Sequence, residues 1–289
     1  MRLLSFFKNG VPTAGLRIGE NVIDLSIAAP DLPKSMKAIL AEGEAVREWL
    51  AEMAKNPPQG ALIKAGDIAY AMPVPDPDKI ICVGLNYRDH AIEGKQEIPT
   101  VPVFFLRLAS SMVAHGQDLW LPKVSSKYDY EAELAVVIGK RGRHVPKEKA
   151  LELVAGYTLC NDGSVRDYQK RTAQWTMGKN FDKSGSLGPE IVTADELPVG
   201  AKGLKVRSIL NGQVMQDGNT DDMIFDIATL VSQLTEVMTL EPGDIISTGT
   251  PAGVGFARTP PVWMKAGDTV EIEIEKIGKL INKVVTEPI

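Results

Sequence analysis

From about residue 78 onward, short apolar runs recur, each cut off by Gly, Pro or Asp: "IICVGLN", "VPVFFL", "ELAVVIG", "VAGYTLCND", "LKVRSILNG", "DIISTGTP" and "TVEIEIEKIG". Runs this short, bounded by turn formers and rich in β-branched residues, are strands. One helix is expected among them, at 223–238. There Met223, Ile224, Ile227, Leu230, Val231, Leu234 and Val237 form an apolar stripe, with Asp221 or Asp222 as the cap. Many strands and few helices predict an α+β, β-rich fold, a sandwich or a sheet rolled on itself.

The leading segment differs. Strand-like runs "LLSFF", "AGLRIG" and "NVIDL" precede a helical stretch near 33–55. Then "AMPVPDPDKI" sets Pro73, Pro75 and Pro77 where neither a helix nor a central strand continues. This stiff connector predicts a small α+β domain over 1–72 and a larger one over 73–289. A net charge of −5 and a pI near 5.4 argue against a general nucleic-acid binder. No apolar stretch reaches the length of a membrane helix. The N-terminal apolar run is broken by Lys8, Asn9 and Gly10, and Cys82 and Cys160 read as buried thiols, so a cytoplasmic location is expected.

Chemistry enters with "YDYEAELAVVIGK" at 128–140. In a strand, Asp129, Glu131, Glu133, Ala135 and Val137 share one face. The two glutamates are therefore either part of a wet sheet face or a pair of ligands aimed at a cation. The run Glu271, Glu273, Glu275 repeats the pattern, and an ordinary amphipathic strand explains it.

Four other stretches bear on the choice. In "GLNYRDHAIEGK" one helical turn would place His90 and Glu93 on one face, a base with its orienter, or else a solvated turn. Asp162 in "GYTLCNDGSVRDYQ" ends an apolar strand; it is a turn residue, or a third carboxylate beside Glu131 and Glu133 for a hard cation such as Mg²⁺ rather than Zn²⁺. Lys179 in "QWTMGKNFDKSGSLGP" is an ammonium aimed at an anion, or a lysine snorkelling from a core strand. "STGTPAGVGF" lacks the Lys-Ser/Thr of a nucleotide loop; its amides and Thr250 hold a carboxylate, or it is a tight turn.

Taken in order, "GLNYRDHAIE", "VPVFFLR", "DYEAELAVVIGK", "GYTLCNDGSVRDYQ", "QWTMGKNFD" and "LEPGDIISTGTPAGVG" resemble the fumarylacetoacetate hydrolase superfamily from about residue 78 to 285. The resemblance implies a mixed β-roll, a homodimer, and Mg²⁺ or Mn²⁺ held by Glu131, Glu133 and Asp162. It also implies a His90–Glu93 dyad on a lid-like helix, and Arg166, Gln174, Lys179 and Thr250 facing the substrate. Many members read "FFxKP" where this chain has "FFLRL", so Arg107 and Leu108 replace Lys and Pro.

The activity expected from the resemblance is hydrolysis of the C3–C4 bond of a 2,4-diketo acid (an acylpyruvate) to pyruvate and a carboxylic acid. His90, oriented by Glu93, would activate water; Lys179 and Arg166 would hold developing charge. Closure of residues about 86–100 would deliver the dyad. The same site would also serve oxaloacetate decarboxylation, hydroxymuconate-type isomerisation or keto-deoxy sugar acid dehydration. The alternative outside catalysis is a metal-dependent oxo-acid binder.

Overall fold

The structure is a computed structural model and describes residues 1–288. Its main sheet has eleven strands. From one edge they run Leu62–Lys64, Asn21–Asp24, Val11–Ile18, Arg2–Lys8, Gly185–Thr193, Val154–Asn161, Ala132–Ile138, Ile245–Ser247, Ile80–Gly84 and Val103–Arg107, with Met112–Ala114 parallel to Gly185–Thr193. A five-stranded sheet holds Gln213–Asn219, Lys205–Leu210, Thr269–Ile274, Gly278–Thr286 and Leu119–Leu121. The expected α+β, β-rich architecture is what forms.

The Ala132–Ile138 strand is buried along its whole length because each of its faces meets a different core. Leu134, Val136 and Ile138 pack with Val206, Ile272 and Ile274 of the second sheet. Ala135 and Val137 pack on the opposite side with Met36, Ile39, Leu40 and Leu50. Those four come from helices Met36–Ala41 and Glu44–Met53, into which the stretch expected near 33–55 divides. Gly43 separates the two with φ +77°, a left-handed conformation that favours glycine. A strand covered on both faces has no wet side, which removes one of the two readings of Glu131 and Glu133.

The Thr269–Ile274 strand behaves otherwise. Ile272 and Ile274 are buried while Glu271 and Glu273 stay partly exposed, and Lys279 reaches Glu271 at 3.4 Å. This is an amphipathic strand with a solvated face.

The leading segment joins the main sheet directly. Arg2 and Leu3 pair with Val192 and Ile191 in antiparallel register, and Arg2 and Arg17 both reach Glu190. The helix expected at 223–238 spans Ile227–Val237 and is capped by Asp226, whose Oδ1 accepts from the Thr229 N–H at 2.8 Å. Asp221 and Asp222 instead form a separate turn, Thr220–Asp222, so neither is the cap. Cys82 and Cys160 are buried free thiols. Among the described residues no helix is long and apolar enough to cross a membrane.

Candidate active site

The Ala132–Ile138 and Val154–Asn161 strands pair with Ala132 opposite Asn161, which brings Asp162, at the end of one, beside Glu131 and Glu133, at the start of the other. Each of the three offers an oxygen within 4.8 Å of the other two. Glu131 is 4 % exposed, Glu133 2 % and Asp162 1 %. Buried charge is costly by several kcal/mol per ion unless paired, and the pairing here is specific.

Lys179 Nζ lies 2.6 Å from Glu131 Oε2 and 2.6 Å from Asp162 Oδ2. Arg107 Nη1 donates to Asp162 Oδ1 at 2.5 Å and to the Gly163 carbonyl at 2.9 Å. Arg166 Nε donates to Asp129 Oδ2 at 2.8 Å, and its Nη2 stands 2.7 Å from Glu131 Oε1 without forming a well-directed hydrogen bond. Glu133 Oε2 accepts from Ser247 Oγ at 2.6 Å and the Gly249 N–H at 3.0 Å.

Four buried carboxylates (Asp129, Glu131, Glu133, Asp162) thus meet three buried cations, and Glu133 alone touches none. The proton affinities follow. Burial pushes Glu131 up, but Arg166 and Lys179 outweigh it and hold its carboxyl well below the usual range. Burial, reinforced by Asp162 and Glu131, drives Glu133 well above its usual range. Burial would lower the Lys179 pKa; Asp162 and Glu131 reverse that and raise it, so the ammonium keeps its proton.

The donor set fits a divalent hard cation. Three converging carboxylates with no thiol or imidazole among them suit Mg²⁺ or Mn²⁺. An outer oxygen of each is fixed by Arg166, Arg107, or Ser247 and Gly249, as ligand carboxylates commonly are.

His90 and Glu93 stand on the short helix Arg88–Glu93, as the spacing predicts. Nδ1 of His90 is 3.4 Å from Glu93 Oε2, and both Glu93 oxygens accept from the Gly253 N–H, at 2.9 and 3.1 Å. The helix start is anchored: the Asn86 side chain bridges the Thr248 and Phe225 carbonyls, and the Asp89 N–H donates to Asp222. His90 already lines the same cavity of about 500 Å³ as the three carboxylates. In this structure the segment 86–100 expected as a lid already sets the dyad at the cavity.

The remaining expected residues divide. Arg166, Lys179 and Thr250 line the cavity. Gln174 does not: it is exposed in the turn tied by Thr172, and Gln169 occupies the cavity wall instead, accepting from Arg166 Nη1 at 3.0 Å. The position one helical turn beyond Arg166 carries the signal for Gln169. The Thr250 hydroxyl is engaged internally, donating to the Ala132 carbonyl at 2.9 Å and accepting from Gln216 at 2.7 Å, so it has no proton left for a substrate carboxylate.

Two further residues matter. Asp129 accepts from Arg166 and from the Gly255 and Phe256 amides, so it fixes the guanidinium and the glycine loop together. Its signal was its shared strand face with Glu131 and Glu133. Lys179 reaches the site from a short helix, Thr176–Lys179, and not from a core strand; Met177 beside it is exposed. Trp175 packs edge-on against Phe105, and a Cβ on Gly84 would come within 2.1 Å of its ring, so the cavity's apolar wall depends on that glycine.

Residues 79–285 match the family model described as fumarylacetoacetate (FAA) hydrolase C-terminal. Over 99 % of its length the chain is 42 % identical to proteins named oxaloacetate tautomerase FAHD2A, mitochondrial, from Bos taurus and Homo sapiens, covering 92 % of each. Among solved structures, maleylpyruvate hydrolase from Sphingobium sp. SYK-6 in complex with manganese (II) ion and pyruvate superposes with a TM-score of 0.81 at 30 % identity, covering 99 % of both chains. The mitochondrial naming of relatives this similar overturns the expectation of a cytoplasmic protein. The chain belongs to the fumarylacetoacetate hydrolase family of metal-dependent enzymes.

Proposed function

We propose that the protein interconverts the enol and keto forms of oxaloacetate at a bound Mg²⁺ or Mn²⁺. The observation that carries this reading is that His90, held by Glu93, faces the Glu131, Glu133 and Asp162 carboxylates across one small cavity. The similarity to the tautomerases points to the same substrate.

A divalent cation, which Glu131, Glu133 and Asp162 would hold, would supply a Lewis acid for such an acid. The chain's own residues do the rest. His90 carries a proton to C3 as the enol O–H gives one up, and no carbon–carbon bond breaks. Glu93 holds the ring by its Nδ1 edge, which leaves Nε2 as the proton-carrying atom. Lys179, kept cationic by Asp162 and Glu131, and Arg166, fixed by Asp129, stabilise the enolate charge. Phe105 and Trp175 shield one wall from water.

Hydrolysis of an acylpyruvate is the second reading, favoured by the likeness to maleylpyruvate hydrolase. In that case His90 takes a proton from water, hydroxide adds at C4, the C3–C4 bond breaks and C3 gains a proton. Product analysis after incubation with enol-oxaloacetate or acetylpyruvate separates the two. An intact keto acid from the first and no turnover of the second supports tautomerisation; pyruvate plus acetate from the second supports hydrolysis.

We further propose that the protein is a homodimer. Among the described residues the Val103–Arg107 strand ends the main sheet with no further strand beside it, only the Asn180 side chain meeting its edge at Leu106 and Leu108, and Val101, Leu106 and Leu108 are exposed around it.

A further inference from the structure

Arg166, Lys179 and Lys170 all line the cavity, but only the first two have carboxylate partners. Lys170 makes no ion pair among the described residues. Its ammonium rests 4.4 Å from the centre of the Phe256 ring, which the Arg166 guanidinium approaches at 4.7 Å. Exposure rises along this wall, from 5 % at Arg166 and 8 % at Gln169 to an exposed Lys170. The wall thus runs from the carboxylates at the floor to the mouth.

Gln169 adds donors beside that cation. The atom facing Arg166 Nη1 must be its carbonyl oxygen, because a guanidinium only donates. This fixes the amide orientation and leaves Nε2, with two N–H groups, unpartnered among the described residues.

Charge balance indicates what these donors receive. With Glu133 ionised, the buried groups hold four negative and three positive charges, and a divalent cation leaves the cluster one unit positive. The first carboxylate of an oxo acid cancels that unit, so a second one entering the same cavity needs another cation.

We infer that Lys170 is the receiver for the second carboxylate of a dicarboxylic 2-oxo acid, beside the substrate-facing Gln169, and that it sets the preference of this site for dicarboxylates. The inference rests on the oxo-acid reading above and adds the specificity-determining residue.

Calorimetric binding of 2-oxoglutarate and pyruvate to the Mn²⁺-loaded protein, both unreactive as enol substrates in this assay, tests it apart from turnover. The expected result is a preference for the dicarboxylate that falls about tenfold in Lys170→Met, as for loss of one charge-assisted contact, and is retained in Lys170→Arg. Methionine keeps the stem over Phe256, so a lost preference reports charge and not packing. A wild-type protein without that preference, or an unchanged preference in Lys170→Met, overturns the inference. Absence of oxaloacetate turnover with the Lys170-dependent preference intact would sink the tautomerase reading and leave the carboxylate receiver standing.

Discussion

Arg107 shows how much a single side chain decides in this site. In the sequence it stands out only as a departure from the family's usual Lys-Pro, yet it is 3 % exposed and clamps Asp162 from behind through a guanidinium fork. Lysine supplies one point charge where arginine also reaches Gly163, Ser111 and Ser184. Arg107→Leu strips Asp162 Oδ1 of its donor and leaves Lys179 as the only cation on that carboxylate, which costs about 1–3 kcal/mol of stability and about 10–100-fold in Mn²⁺ affinity. Thermal unfolding in chelator and calorimetric titration with Mn²⁺ check the two figures; an unaltered Mn²⁺ affinity contradicts the clamp.

Glu133 makes metal binding depend on pH. Its proton affinity is raised above the ordinary 4.5 by burial and by its two acidic neighbours. Below that raised value a proton competes with the cation, so Mn²⁺ affinity climbs with pH through the raised pKa and then levels. The metal-stripped fold runs the opposite way: the share of its stability set by Glu133 is fully present below the ordinary value and is lost as pH rises through the folded one. Between the two values each Mn²⁺ bound releases one proton, measurable by calorimetry in buffers of different ionisation enthalpy, and Glu133→Gln abolishes the release.

At the scale of elements, the Val103–Arg107 edge carries the oligomer prediction. Light scattering should report a dimer, and Leu106→Lys, placing a charge on an exposed apolar edge, should yield monomer without unfolding. A monomeric wild type contradicts it. Elements were also the part of the fold most legible in the sequence. The Ala132–Ile138 alternation assigned the correct residues to each face, and Gly and Pro punctuation located most strand ends, because both are local backbone effects. The misses came from particular side-chain contacts. Asp226 is the cap in place of Asp221 and Asp222 because those two belong to the turn Thr220–Asp222, which Asn219 caps and the Thr220 hydroxyl ties to the Ala201 carbonyl and the Leu204 N–H. Gln174, implied by the resemblance, lies outside the cavity in a turn held by Thr172. Arg107 reaching Asp162 spans fifty-five residues of sequence, and no spacing encodes that contact.

For the whole molecule, the site is made where the two cores meet at one strand. The leading helices cover one face of Ala132–Ile138 and the five-stranded sheet covers the other, so the carboxylates at its start emerge from a support buried on both sides. Rigid support of this kind lets a crowded set of like charges persist until a cation and an oxo acid complete it. The most direct test is the rate at which enol absorbance of oxaloacetate decays with the Mn²⁺-loaded protein, the chelator-treated protein and Mn²⁺-loaded His90→Ala, each against Mn²⁺ alone. Rapid decay only in the first, with His90→Ala slower by about 10²–10⁴-fold at unchanged Mn²⁺ affinity, is the predicted result. Equal decay in all three would contradict both the metal site and the role of His90.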